Sequence, residues 1–130
     1  MVFHAVFTVL MRWDQMLTNI IDFYGAAISA REQRADLMAN NVANADTPNY
    51  KATDISFDAA LQNQLGGATT DSGPLYRQDG VVALNGNDVS LDTERLEATD
   101  NGERLQATVS FLRQSTADLI TALRPNPNGI

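Results

Sequence analysis

Each end of this chain carries a row of apolar side chains that recurs with the spacing of a long α-helix. Apolar residues three and four positions apart line one side of a helix, and heptad repeats of them are typical of helices that pack lengthwise. The first row is interrupted by Arg31 and predicts a helix over residues 16–45, about 40 Å long. Its apolar members are Leu17, Ile21, Tyr24, Ile28, Ala35, Met38 and Val42.

The second row lies near the C-terminus and predicts a helix over residues 91–124. Asp92 and Glu94 suit its first turn, where acidic side chains complement the helix dipole. Arg124 and Pro125 suit its end, because a cation favours the last turn and proline cannot continue a helix. We expect residues 125–130 to be disordered. The apolar members of this row are Leu91, Ala98, Leu105, Val109, Leu112, Leu119 and Leu123.

The middle, residues 46–90, has a different composition. Residues 66–74 are rich in glycine and turn-forming residues, and residues 81–84 form a short apolar run that suits one strand or hairpin arm. Acidic residues outnumber basic ones throughout residues 52–103. The fold class is therefore predicted as mainly α, with two long amphipathic terminal helices, a coiled-coil-like pair, joined by an irregular, partly extended acidic middle.

Residues 1–15 are apolar but shorter than the span of about 20 residues that a transmembrane helix needs. Their basic residue, Arg12, follows the apolar stretch, and no small-residue cleavage pattern appears, so we expect no cleaved signal peptide. The segment either extends the first helix or precedes a true translation start at Met11 or Met16. We favour the later start, because the regular apolar row begins only at Leu17.

Composition excludes several classes of function. The chain has no cysteine and one histidine, His4, which argues against a Ser-His-Asp triad and against cysteine-ligated zinc. A net charge of −7 disfavours nucleic-acid binding. The acidic pairs Asp88/Asp92 and Glu94/Glu97 are candidate acid/base or metal groups, but they suit a helix start better. We therefore predict no catalytic, metal or cofactor site, no small-molecule substrate and no enzyme.

An asparagine-rich turn follows the first helix, over residues 38–51. Asparagine tolerates the left-handed conformation that ends helices, and its side chain bonds nearby backbone groups. Pro48 keeps the preceding Thr47 out of the helical region. Asn49, directly after the proline, suits a positive φ. The residues alone indicate a capped helix end and a turn.

The order of these residues resembles the N-terminal signature of the bacterial flagellar axial proteins, which are the rod and hook subunits. Within that family, the turn and residues 54–57 most resemble the corresponding segment of the proximal rod subunits. Residues 86–94 resemble the segment that opens their last helix. Asn49 stands where the family usually has glycine, and the stretch before Met16 has no recognised counterpart. The positions that match the family pattern are Asn40, Asn41, Ala43, Asn44, Asp46, Thr47, Pro48, Asn49 and Tyr50.

The resemblance implies a structural role in the flagellar basal body, as part of the periplasmic rod that serves as a drive shaft. It implies export through the flagellar type III export apparatus without a cleaved signal. It also implies three kinds of partner: neighbouring rod subunits, the adaptor between the MS ring and the rod, and the export apparatus. The apolar rows would then pack against neighbouring subunits, and the fold would be completed on assembly.

Two alternative functions and one alternative arrangement of the helices remain open at this point. A small acidic helical adaptor, or an export-related binding protein, would also carry paired amphipathic helices, and it would be a folded monomer or dimer in dilute solution. Another rod or hook component would share the same turn. The two long helices could also simply pair with each other in a small bundle.

Overall fold

The structure, a computed structural model, describes residues 2–66, 73–77 and 82–124. Helix α1 (Val2–Ala43) and helix α3 (Leu91–Leu123) pack against each other in antiparallel orientation, with Asn41 beside Glu94 and the Asn101 side chain bonded to the Arg31 carbonyl. Between them lie strand β1 (Thr53–Asp54), helix α2 (Phe57–Gln64) and strand β2 (Leu75–Tyr76). The predicted fold class, mainly α with two long terminal helices and an irregular, partly extended middle, is confirmed.

The two ends of α3 lie where the sequence predicts them. The Ser90 hydroxyl accepts a hydrogen bond from the Thr93 N–H, which satisfies one donor that the first turn leaves free. Asp92 and Glu94 occupy that turn. The helix ends at Leu123, and the tail predicted to be disordered lies outside the described residues.

The start of α1 differs from the prediction. The sequence places it near residue 16, whereas the helical backbone begins at Val2 and continues to Ala43 without a break. Residues 2–15 therefore continue α1 in the structure. The helix ends close to the predicted position, and the asparagine-rich turn follows it directly.

Helix α2 was not predicted from the sequence. Its N-cap residue, Ser56, makes no side-chain capping bond, and a helix of this length is marginal in isolation. Packing against α1 supplies the stability that local sequence does not. Ala60 and Ile55 form a buried cluster with Ala30 of α1, and Phe57 packs against that cluster.

The prediction of a strand over residues 81–84 is wrong for residues 82–84, the part that the structure describes. Residues 82–83 have no regular structure, residues 84–86 turn, and Leu84 is fully exposed. The strand that does form is β2, whose Tyr76 and Leu75 pair antiparallel with Thr53 and Asp54 of β1. A strand needs a partner with free backbone groups, and β1 offers them to β2.

The described interior is polar to an unusual degree. Its buried apolar side chains are small apart from one methionine and one isoleucine, so van der Waals packing alone holds little of it together. Fully buried charged or amide groups need hydrogen-bonded partners, and these partners connect the helices to the middle. The buried apolar residues are Ala26, Ala27, Ala30, Met38, Ala52, Ile55 and Ala60, and the buried polar ones are Asn41, Asn87, Asp88, Glu94 and Asn101.

Candidate functional site

Asn41, in the last turn of α1, has no exposed surface and binds three separate parts of the chain. Its side-chain amide donates to the Thr53 carbonyl at 2.8 Å and to Glu94 Oε1 at 3.0 Å. Its side-chain oxygen accepts from the Thr53 N–H at 3.0 Å and from the Tyr50 hydroxyl at 3.2 Å. One side chain therefore holds α1, the start of β1 and the first turn of α3 in register.

Glu94 is a fully buried carboxylate in the first turn of α3. It accepts from Asn41 of α1 and forms an ion pair with Arg77, which directly follows β2. A buried carboxylate is costly unless it is paired and hydrogen-bonded, and both partners come from other elements. Glu94 therefore holds the segment that follows β2 against the first turn of α3.

Arg34 of α1 is the second ionic centre. Its guanidinium donates from Nε to Asp54 Oδ1 at 2.9 Å and from Nη2 to Asp54 Oδ2 at 2.7 Å, the bidentate geometry that arginine forms with carboxylates. The same guanidinium donates to Glu97 of α3 at 2.9 Å. Arg77 Nη1 lies 3.5 Å from Asp54 Oδ2. We call the six side chains that meet here the polar junction: Arg34, Asn41, Asp54, Arg77, Glu94 and Glu97.

The charges of the polar junction shift the pKa values of its members. Burial raises the pKa of Asp54, but the hydrogen bonds from Arg34 and from the Ile55 N–H, with the positive charge of Arg77, outweigh it and hold that pKa below its usual range. The hydrogen bond to Asp54 raises the pKa of Arg34, and Glu97 adds to this. Both residues of this pair are therefore stabilised in their charged forms.

The turn after α1 is held by its own asparagines. Asn44 donates its side-chain amide to the Asn40 carbonyl at 2.8 Å, and its side-chain oxygen accepts from the Thr47 hydroxyl at 3.2 Å. Asn49 has a φ of 60°, which confirms the positive φ predicted after Pro48. The Asn44 side chain thereby ties the last turn of α1 to Thr47 in the turn that follows.

A second turn, around Asn87, docks onto the first. The Asn87 side-chain amide donates to the Asn44 carbonyl at 2.9 Å and to the Thr47 carbonyl at 2.8 Å. The Asn49 N–H donates to the Asn85 carbonyl at 3.0 Å. Gly86, at a φ of +81°, lies directly beneath the Asn49 side chain, where a Cβ would clash with it. The two turns therefore form one rigid corner between the helices.

Asp88 completes the corner. Its carboxylate accepts from the Ala52 N–H at 2.6 Å and lies 3.4 Å from Lys51 Nζ. Asp92, its partner in one of the acidic pairs, is exposed and contacts Arg95 of its own helix at 3.5 Å. In the other pair, Glu94 and Glu97 bind different arginines. The structure thus assigns these four acids to backbone, helix-surface and ion-pair contacts.

The predicted motif residues come together at this corner. Asn41 is buried, whereas Asn40, Asp46, Thr47, Pro48 and Asn49 are exposed, and Ala43 is exposed in the last turn of α1. Tyr50 is half-buried against Asn41. The motif therefore supplies one buried side chain and a surface turn built around it.

The predicted helix-packing residues divide into three groups. Met38 is buried. The half-buried members are Leu17, Tyr24, Ile28, Leu105, Val109, Leu112 and Leu119. The exposed members are Ile21, Ala35, Val42, Leu91, Ala98 and Leu123. Pairing of α1 with α3 within one chain thus covers part of both rows and leaves the rest bare.

Sequence reasoning missed the residues that join the middle to the helices. Arg34, Arg77, Asn87 and Asn101 were not singled out, although the Asn101 amide donates to the Arg31 carbonyl at 2.9 Å across the helix pair. Asn101 carries a signal that could have identified it. It is a polar residue three positions after Ala98 and four before Leu105, at the spacing of the apolar row. Arg77 depends on contacts far away in sequence and carries no local pattern. Asn87 lies in the segment 86–94 that resembles the family, and its side-chain oxygen accepts from the Val89 N–H at 2.7 Å, but its bonds to Asn44 and Thr47 are far away in sequence.

No group of three or more potential metal-ligating side chains forms among the residues that the structure describes. Of the described helices, none is both long and apolar enough to cross a membrane. The described residues form a polar corner that joins two long helices whose apolar rows are only partly covered.

Comparison with known proteins agrees with this arrangement. Residues 21–51 match a family model described as "Flagella basal body rod protein", which covers the end of α1 and the asparagine-rich turn. The chain is 34% identical over 116 residues to "Flagellar basal body rod protein FlgB" of Cereibacter sphaeroides, spanning 78% of this chain and 91% of that protein.

Two further relatives carry the same name. The FlgB of Proteus mirabilis is 30% identical over 131 residues, spanning 83% of this chain and 96% of the relative. The FlgB of Salmonella typhimurium is 31% identical, spanning 83% of this chain and 95% of the relative. The similarity therefore extends well beyond the turn, to 78–83% of the chain.

Proposed function

The chain belongs to the FlgB family of flagellar basal body rod proteins, and we propose that it is built into the rod by packing its terminal helices against those of neighbouring subunits. Its function is structural, as a subunit of the flagellar basal body rod. The observation that supports the mode of assembly is the apolar surface that α1 and α3 leave uncovered. Large exposed residues on it include Ile21, Val42, Phe111 and Ile120.

The exposure of large apolar residues on this surface supports assembly. Large apolar side chains that remain exposed on paired helices mark surfaces that are covered in a complex. Within one chain, α1 is longer than the part of it that α3 and α2 cover, and Ile21 and Val42 are 52% and 46% exposed. Burying these residues against neighbouring helices would stabilise the assembly by about 25 cal/mol for each Å² of apolar area removed from water.

The polar corner has a defined part in this proposal. It fixes the direction in which α1 and α3 leave the turn region, so each subunit presents its apolar rows in one orientation. The motif residues Asn41, Asn44 and Tyr50 act through this geometry. They shape the subunit, and the helical rows contact the neighbours.

The finer statements about partners and location belong to the same proposal. We place the chain in the periplasmic rod, next to other rod subunits and to the adaptor that joins the MS ring to the rod. Export would proceed through the flagellar type III apparatus without a cleaved signal. Family membership supports this, as does a fold whose apolar rows are completed only by neighbours, because the uncovered parts of the long helices stay loosely ordered before assembly.

Complementation tests the proposal. The gene is deleted in the host bacterium, and plasmid copies of the full chain are assayed for swimming and for incorporation into isolated basal bodies. We expect Ile28→Asp and Leu112→Pro to abolish incorporation at normal expression, because each disrupts an apolar row. Gln33→Asp, at an exposed position of α1, and the conservative Leu112→Met are the controls. Normal swimming with Leu112→Pro would contradict the proposal.

A further inference from the structure

The turn around Asn87 contains an asparagine that is followed directly by a glycine. Asn85 is exposed, and Gly86 has a φ of +81°. The side-chain amide of an asparagine can react with the main-chain nitrogen of the next residue, because the two groups are placed to close a five-membered ring. Glycine favours this attack, since it has no Cβ to crowd its nitrogen. The turn therefore presents a reactive pair of residues to solvent.

A hydrogen bond holds the Asn85 side chain toward the Gly86 peptide. Its Oδ1 accepts from the Asn87 N–H at 3.1 Å, and the ring that this bond closes contains the Gly86 nitrogen. Attack on the side-chain carbonyl carbon moves negative charge onto Oδ1. A donor already bonded to that oxygen stabilises the charge as it develops. The Asn87 N–H therefore positions the Asn85 amide and also polarises it.

One contact opposes the reaction in the closed turn. The Gly86 N–H donates to the Ala83 carbonyl at 2.8 Å, and the Gly86 nitrogen must lose its proton before it can attack. A surface turn opens locally at a much lower free energy than the middle of a packed helix does. The reaction should therefore proceed from the briefly opened turn, and it should accelerate as the hydroxide concentration rises.

The same dipeptide occurs inside α3, in a very different setting. Asn101 is 1% exposed, and its amide nitrogen, which would be the leaving group, donates to the Arg31 carbonyl at 2.9 Å. Gly102 lies within the continuous helix, where each N–H is bonded four residues back. Both reacting groups are therefore held, and α3 would have to unwind before the ring could close. A third pair, Asn128 and Gly129, lies outside the described residues.

We propose that Asn85 is a site of spontaneous deamidation, which the fold selects over Asn101. The Gly86 nitrogen loses its proton and bonds to Asn85 Cγ, the Cγ–Nδ2 bond breaks, and the side-chain nitrogen takes up a proton and leaves as ammonia. Water then opens the cyclic imide at either carbonyl, which gives aspartate or isoaspartate at position 85. One water molecule is consumed and one ammonia is released. The inference does not depend on the proposed function.

The reaction would alter the corner. The Asn49 N–H donates to the main-chain carbonyl of Asn85 at 3.0 Å. In isoaspartate this carbonyl leaves the main chain and becomes a free carboxylate, while the backbone runs through the former side chain and is one carbon longer. Either product also adds a negative charge to a turn that holds the buried carboxylate of Asp88. The modified chain should therefore have a looser contact between the two turns.

Peptide mapping by mass spectrometry tests the site. The purified full chain is incubated in mildly alkaline buffer, with and without urea, and is digested at intervals with trypsin. Cleavage after Arg95 separates Asn85 from Asn101. Without urea we expect deamidation of Asn85 to be at least about tenfold faster than that of Asn101, because α3 protects the second site. In urea, where the fold protects neither site, the two rates should be similar.

Two results would overturn the proposal: Asn85 unmodified in buffer, or a ratio of the two rates that is the same with and without urea. Isoaspartate is identified by methyl labelling with an isoaspartyl methyltransferase. A labelled peptide that contains position 85 supports ring opening from the cyclic imide, whereas a modified peptide without label contradicts that route.

The matched variant is Asn85→Gln. Its side chain is one methylene longer, so ring closure would need six members and is much slower. We expect its peptide to stay unmodified while Asn101 behaves as in the natural chain. Amide hydrogen exchange at residues 47–50 and 85–88 should accelerate on ageing of the natural chain but not of Asn85→Gln. Equal acceleration in both chains would show that the modification does not loosen the corner.

Discussion

The side-chain amide of Asn41 lies 3.0 Å from Glu94 Oε1, and neither residue has any exposed surface. This contact joins the last turn of α1 to the first turn of α3, across a segment of the chain that is otherwise irregular. Each residue has a further partner in the middle segment, the Thr53 backbone for Asn41 and Arg77 for Glu94. The corner of the molecule is therefore held by polar contacts where most helical hairpins use an apolar core.

Removing the Asn41 side chain should loosen this corner. In Asn41→Ala the Thr53 backbone groups lose their partner and Glu94 loses a donor, and each buried polar group left without a partner costs about 1–3 kcal/mol. We expect amide hydrogen exchange to accelerate over residues 50–54 and 91–97 in the purified full chain. Exchange reports local opening free energies without requiring a single cooperative unfolding transition.

The neighbouring asparagine is the control for that prediction. Asn40 is exposed and its side chain has no part in the polar junction, so Asn40→Ala should leave exchange at the corner close to that of the natural chain. Equal acceleration in the two variants would show that Asn41 has no special role. Full protection in Asn41→Ala would show the same.

Asn49 and Gly86 should be energetically coupled. Gly86→Ala places a Cβ against the Asn49 side chain and also at a positive φ, so it should destabilise the corner. Asn49→Gly alone should be mild, because glycine accepts the φ of 60° without strain. In the double variant the clash is removed and only the strain at position 86 remains.

A double-mutant cycle on hydrogen exchange at residues 47–50 and 85–88 measures this coupling. We expect the double variant to be less destabilised than the sum of the single variants, with a coupling energy of about 0.5–3 kcal/mol. Additive effects would mean that the Asn49 side chain and position 86 do not contact each other. Asn63→Gly, at an exposed position of α2, serves in place of Asn49→Gly as the uncoupled control.

Acid should weaken the polar junction through Asp54. The pKa of this carboxyl is lowered in the folded state, so its ionisation contributes stability above the unfolded pKa of about 3.9. That stability is lost as the pH falls through the lower, folded-state pKa. We expect exchange protection at Ile55 and Arg34, corrected for the intrinsic pH dependence of exchange, to decline below about pH 4.

Asp54→Asn isolates this effect. It removes the negative charge between Arg34 and Arg77, so protection near neutral pH should be lower than in the natural chain and should vary less on acidification. Asp36→Asn, at an exposed position of α1, should retain the natural pH profile. An unchanged acid-induced loss of protection in Asp54→Asn would assign it to other carboxyls.

The surface turn should matter more for assembly than for folding. Pro48→Ala frees a backbone that proline restricts, a change worth about 0.4–1 kcal/mol, and Asn44→Ala removes two partly exposed hydrogen bonds. We expect small changes in helicity by circular dichroism and a larger drop in basal body incorporation, because the turn orients the helices. Loss of helicity that matches the loss of incorporation would argue against a separate orienting role.

Local pattern accounts for the helices and for the turn. The apolar spacing predicted both long helices, and Ser90 with the acids after it sets the start of α3 as expected. Pro48 and Asn49 predicted the positive φ that the structure shows. These features depend on residues within a few positions of one another, where helix periodicity and turn preferences act.

The sequence by itself therefore determined the two long helices, the turn between α1 and the middle, and, by resemblance, the family. The tertiary structure alone decided α2, the pairing of β2 with β1, and the polar junction. A short helix and two-residue strands are too weak to form without a surface to pack on, and Arg77 meets Glu94 only after the chain has folded back. The tertiary structure also decided which apolar residues remain exposed, because α2 and the strands cover only one side of the helix pair.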